Sequence, residues 1–181
     1  MRPSSKNLIL DAAVRVTERE GITGLTLESA AEEAGVTKGG LMYHFRTRDD
    51  LLLAIQRHLT AAWEERLVAE VGKPLQDAAP RELTAAYARV GTELGASKAE
   101  LAFMIESVNH PELARVWTDL MGHLDAPTRS SDPQDVDLLL ARLAIDGLWL
   151  YEATGGAPLP GPVREAVRRR LLALTESATA D

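Results

Sequence analysis

Cysteine is absent from the 181-residue chain. Disulfides, thiolate metal sites and cysteine nucleophiles are therefore excluded. The four histidines, His44, His58, His110 and His123, show no ligand spacing, so neither a metal site nor a cofactor is expected. No apolar run approaches the length of a membrane span. The opening "MRPSSKNLILDAAVR" holds a three-residue apolar run before Asp11, too short for a signal peptide, which gives the expectation of a cytoplasmic protein with no membrane partner. Sustained period-2 alternation is missing, and with it any strand signal. An excess of positive charge is missing too. The net charge is −7, but residues 1–60 carry 8 Lys/Arg against 8 Asp/Glu, so the acidity lies wholly in the remainder. A neutral N-terminal segment can bind nucleic acid when its cations gather on one face.

Helical periodicity runs throughout, and the fold class expected is all-α. A first helix from Ser5 to Glu20 places Leu8, Ile9, Ala12, Ala13 and Val16 on one side, and Gly21 stands where a C-terminal cap belongs. Thr26 caps a short helix with Leu27, Ala30, Ala31 and Ala34 at i, i+3, i+4, i+7. Gly35 and Val36 turn the chain, Thr37 caps a helix over Lys38–His44, and Thr47 caps a longer one. Two short helices across a glycine turn, braced by a helix before and a longer one after, form a helix-turn-helix pattern. Beyond Lys73-Pro74 the pattern becomes a bundle. Its helices open at Pro80, at the capping box "SKAE" (Ser97 to Glu100), at Pro111, at Asp132-Pro133 and at Pro162, and the loop "APTRSSDPQ" spans 126–134.

The stretch "VTKGGLMYHFRTRDDLL" sets two glycines, Gly39 and Gly40, at the start of a helix, where each costs up to about 1 kcal/mol relative to Ala. A helix lying in the major groove brings its N-terminus close to phosphates and base edges. Glycines there let the backbone approach. First-turn N–H groups, Thr37 and Lys38 suit a phosphate; Tyr43 and His44 offer hydrogen bonds further along, or pack in a small core; Arg46 and Arg48 flank the next helix. Phe45 reads as a core residue. Glu28 either accepts from a cytosine amino group or faces solvent.

The run "GITGLTLESAAEEAGVTKGGLMYHFRTRDDLL" resembles the DNA-binding domain of the tetracycline-repressor (TetR) family of bacterial transcription regulators. Gly21, Thr26, Ala31, Ala34-Gly35-Val36, Lys38-Gly39, Leu41, His44-Phe45 and the basic Arg48 carry the likeness. Met42 stands where the family often has Tyr, with Tyr43 beside it. The resemblance implies a helix-turn-helix DNA-binding domain over 1–47 and a helical ligand-binding and dimerisation domain over 48–181. It implies double-stranded operator DNA, a second copy of the chain and a small-molecule effector as partners. The expected function is a homodimeric regulator, a repressor released by its ligand, and not an enzyme. The expected DNA-facing residues are Thr26, Thr37, Lys38, Gly39, Tyr43, His44 and Arg48.

Two further surfaces are expected in the bundle. The helix beginning at Pro133 is apolar nearly all round, and pairing it and the last helix with their copies buries both; Leu140, Ala144, Gly147, Leu148, Tyr151, Val167, Leu171 and Leu174 are the expected seam. Met104, Trp117, Met121 and Trp149, with Asn109 and His110, are candidates for a ligand pocket, or else fill the core and cap a helix. The triplet Arg168 to Arg170 reads as a largely solvated helix surface rather than a nucleic-acid patch. Two alternatives stand beside the regulator: an enzyme on a helical bundle, which lacks any nucleophile-base constellation, and a dimeric interaction module that binds no DNA.

Overall fold

The computed structural model describes residues 5–93, 95–124 and 131–176. Leu94, expected in the helix from Pro80, and most of the 126–134 loop lie outside the described residues. Among those described, all regular structure is helical: α1 (Ser5–Glu20), α2 (Leu27–Glu33), α3 (Lys38–His44), α4 (Arg48–Val71), α5 (Pro80–Glu93), α6 (Lys98–Ser107), α7 (Pro111–Met121), α8 (Pro133–Ala153) and α9 (Gly161–Glu176), with three short 3₁₀ turns between them. The chain divides into two compact units, Met1–Ala61 with Ser97–Trp117, and Ala62–Ala96 with Thr118–Asp181. The expected boundary after residue 47 thus falls inside the first unit, which also takes in α6.

Local chemistry explains the boundaries in the first unit. Thr26 accepts from Ser29 N–H at 3.0 Å while Ser29 Oγ accepts from Thr26 N–H at 2.9 Å, a reciprocal cap for α2. The helix ends in a Schellman motif. Gly35, at φ 66°, donates to Glu32 O at 3.0 Å and Val36 donates to Ala31 O at 3.0 Å. A second reciprocal cap starts α4, with Asp50 N–H on Thr47 Oγ1 at 3.0 Å and Thr47 N–H on Asp50 Oδ2 at 3.1 Å. Ile9, Val16, Leu25, Leu41, Phe45, Leu51, Leu52 and Ile55 form the core, joined by Phe103 of α6 and Leu113 of α7. Phe45 is buried, as expected.

Ser97 caps α6 as expected, accepting from Glu100 N–H at 3.1 Å. An unexpected partner reinforces the cap: Glu18 of α1 bonds Ser97 Oγ and accepts from Lys98 N–H at 3.2 Å and Ala99 N–H at 3.0 Å. A carboxylate on the free N–H groups of a helix start is a favourable charge placement.

In the second unit α5, α8 and α9 pack on one another. Gly91 of α5 is required there, because a Cβ would stand 2.5 Å from Ile145 Cγ2 of α8. Leu83, Val90, Leu138, Ala141 and Ile145 are buried in this unit. Tyr87 donates to Asp146 Oδ1 at 2.5 Å, and its ring lies 5.9 Å from that of Trp63. Among the described residues no helix is long and apolar enough to cross a membrane.

Candidate nucleic-acid interface

The residues expected to face DNA gather around α3. Thr37 uses its hydroxyl to accept from Gly40 N–H at 3.0 Å. That donor is therefore spent within the chain. The two glycines separate in role. A Cβ at Gly40 would lie 3.2 Å from Thr37 Oγ1 and crowd the cap, whereas a Cβ at Gly39 would meet nothing within 4 Å. The chain's own packing does not demand glycine at position 39.

Tyr43 is 86% exposed, the most uncovered of the large hydrophobic side chains described in the first unit. Its ring stands edge-on to that of His44, with centroids 5.2 Å apart. His44 is half-buried, and its Nε2 lies 3.0 Å from Ser5 Oγ, so α1 sets the imidazole's orientation. The Lys6 ammonium sits 5.9 Å from the centroid of the Phe45 ring. Thr26 is exposed, with its hydroxyl engaged in the α2 cap.

Lys38 forms an ion pair with Glu28 of α2. The bond from Lys38, then Glu28's own backbone N–H, hold the Glu28 carboxyl below the ordinary glutamate value. Behind this surface Glu33 is bonded by Arg15 at 2.8 Å and by Arg19 at 3.1 Å, both on α1. Those two bonds likewise lower its pKa.

Arg48 departs from the expectation of a phosphate contact. Its Nε donates to Leu25 O at 2.9 Å and its Nη2 to Ile22 O at 2.8 Å, with Nη1 4.0 Å from Glu106 Oε1. The two carbonyls belong to the segment leading into α2, where Ile22 O also accepts from Leu25 N–H at 3.3 Å. Arg48 is thus a brace under the helix-turn-helix. Sequence reasoning missed this, as it missed Glu18, because each acts on residues more than twenty positions away and leaves no local spacing signal.

The six expected pocket residues do not come together in one unit. Met104, Asn109, His110 and Trp117 belong to the first, and Met121 and Trp149 to the second. Met104 and Asn109 are exposed, His110, Trp117 and Trp149 half-buried, and Met121 is core. An open cleft of about 390 Å³ in the second unit, lined by residues including Glu70, Arg81, Arg89 and Thr175, contains none of the six. Of the expected seam, Leu140, Ala144, Gly147 and Tyr151 are exposed, and Leu148, Val167 and Leu174 half-buried. Leu171 must be withdrawn from that surface: it is 5% exposed, inside the second unit's own core. Arg168 pairs with Glu165 at 2.9 Å, while Arg169 and Arg170 are exposed.

The description "Bacterial regulatory proteins, tetR family" matches residues 9–55, and "Tetracyclin repressor-like, C-terminal domain" matches residues 81–176. The HTH-type transcriptional regulator BetI of Escherichia coli O127:H6 is 28% identical, the alignment covering 95% of this chain and 94% of BetI. A TetR-family member from Streptomyces coelicolor is 29% identical with a TM-score of 0.68, covering 95% of this chain and 98% of that one. The multidrug binding protein EbrR, solved with ethidium, is 30% identical with a TM-score of 0.62, covering 96% and 99%. With both domains matched in order, the chain belongs to the TetR family of DNA-binding transcriptional regulators.

Proposed function

We propose that the protein is a homodimeric repressor that leaves its operator when an organic cation binds. Thr37, Lys38, Gly39, Tyr43 and His44 face the major groove, with Thr26 at the edge of the same surface. The observation that carries the dimer is the row of uncovered apolar groups on α8: Leu140, Leu143, Leu150 and Tyr151 are 51%, 56%, 48% and 51% exposed, and lie on one helical side. Gly147 stands in that row with open space above it. The opposite side of α8, through Leu138, Ala141 and Ile145, is buried within the chain. A second copy laid along the exposed row covers both stripes at once, and a dimer of this class reads two successive grooves about 34 Å apart.

The ligand class is supported by the charge of −7 lying wholly outside residues 1–60, and by EbrR, a relative solved with ethidium. A cation that binds the DNA-incompetent state more tightly shifts the balance away from the operator; equal affinity for both states shifts nothing. Two measurements test the reading. Sedimentation of the unmodified protein at micromolar concentration should give a dimer. Tetraphenylphosphonium, which does not intercalate, should change tryptophan fluorescence over the concentrations that release a duplex selected by the protein from a random library. A monomer rejects the assembly, and release without a fluorescence change rejects a site near Trp117 or Trp149.

A further inference from the structure

A carboxylate on a surface that meets phosphates is a liability unless it has a task. Glu28 lies in the first turn of α2, its side chain 63% exposed, and its Oε1 holds the ammonium of Lys38, the first residue of α3, itself 56% exposed. Being open to water, this pair is a weak contributor to stability and opens readily. Both partners sit beside Thr37 and Gly39, on the surface assigned to DNA. Residues 1–60 carry no net charge, so every cation tied up within the fold weighs on binding. Arg48 is already committed to the carbonyls of Ile22 and Leu25, and Arg15 and Arg19 to Glu33. Lys38 is thus a cation that the fold ties with one exposed, reversible bond.

We propose that Glu28 is a specificity-determining residue: it withholds Lys38 from the phosphates of arbitrary duplexes and yields it where the operator offers Glu28 a hydrogen-bond donor. On an unrelated sequence, moving Lys38 to a phosphate strands the Glu28 carboxylate among negative charges. On the operator, an exocyclic amino group in the major groove, cytosine N4 or adenine N6, takes the place of the ammonium. The exchange leaves the ammonium paired with a phosphate and the carboxylate hydrogen-bonded. Discrimination then comes from a penalty on wrong sequences as much as from a contact to the right one.

Glu28→Gln tests this, because it keeps the size and the acceptor and removes the charge. Affinities are measured over a range of salt for a duplex selected from a random library by the unmodified protein, and for a scrambled duplex of the same length and composition. The scrambled duplex should bind roughly 3–10-fold tighter to Glu28→Gln, with a salt slope steeper by about one counterion. The selected duplex, on which Lys38 is already released, should gain little, so the ratio between the two narrows. In a Lys38→Ala background the substitution should no longer steepen the slope, because the cation it releases is gone. Glu64→Gln, which removes the same charge from α4 in the second unit, should leave the ratio unchanged. The proposal is overturned if Glu28→Gln leaves the scrambled affinity and slope as they were, if Glu64→Gln narrows the ratio equally, or if the steeper slope persists without Lys38.

Discussion

The two helices α3 and α8 each carry a side that their own unit leaves uncovered, and the two sides differ in chemistry. On α3 the uncovered groups are mainly polar, Lys38, Tyr43 and the bare backbone of Gly39, with Met42 the one apolar side chain among them. On α8 they are Leu140, Leu143, Leu150 and Tyr151. Water satisfies the first set, so α3 is stable as it stands and gains only a binding function from its exposure. Each half-exposed Leu of the second set forgoes on the order of 1 kcal/mol of transfer free energy. The α8 side therefore asks for a permanent cover and the α3 side for an exchangeable one. Salt separates them: contacts to phosphate weaken steeply as it rises, and apolar pairing does not.

The sharpest way to break this comparison is to place a charge on either stripe of the second unit. Leu171 is buried, and Leu171→Glu should lower unfolding stability by on the order of 3–5 kcal/mol, through an unpaired charge in the core. Leu140→Glu, on the exposed row, should instead leave a folded protein that sediments as a monomer. Chemical denaturation and sedimentation of both variants check the pair. Equal loss of stability with unchanged assembly would remove α8 from the interface.

On the polar side the largest effect is expected at Gly39. Its Cβ position is empty space, so Gly39→Leu should hold or slightly raise the melting temperature. The same bulk should weaken operator binding on the order of 100-fold, equivalent to about 3 kcal/mol, where the backbone must approach the groove. Calorimetry and a mobility shift on one preparation separate the two effects. Arg48→Ala should do the opposite. Loss of its bonds to Ile22 and Leu25 should cost about 1–3 kcal/mol of stability, while the salt slope of DNA binding stays within error of the unmodified protein. Lys38→Ala should lower that slope by about one.

These cases also show why part of the molecule was legible in the sequence. The caps at Thr26, Thr37, Thr47 and Ser97 act over three residues, and the glycine turn at Gly35 over five, so local spacing declares them. The helix boundaries followed, and with them the pattern that carries the family likeness. Arg48 and Glu18 were not legible, because their partners lie 23 and 79 positions away and any surface Arg or Glu looks the same in sequence. Leu171 misled for a related reason. A Val/Leu stripe on α9 says that one side is buried, not whether the cover comes from α5 and α8 or from a second chain. The pocket was least legible, since large apolar residues fill a core and line a cavity with the same spacing.

The smallest effect tests the polar region against itself. Glu33 ties α2 to Arg15 and Arg19 of α1, and unlike the Glu28–Lys38 pair this contact belongs to the fold alone. Both arginine bonds lower its pKa in the folded protein, so its stabilising contribution is complete above the ordinary glutamate value and fades as the pH falls through the lowered one. Glu33→Gln should therefore melt slightly below the unmodified protein at pH 7, and the gap should close in acid as the native carboxyl becomes protonated. Operator binding at pH 7 should keep both its affinity and its salt slope once the comparison is made well below the melting temperature. A change in slope as large as that of Lys38→Ala would mean that Arg15 or Arg19, once freed, reaches the phosphates, and the division between cations held by the fold and cations offered to DNA would have to be redrawn along α1.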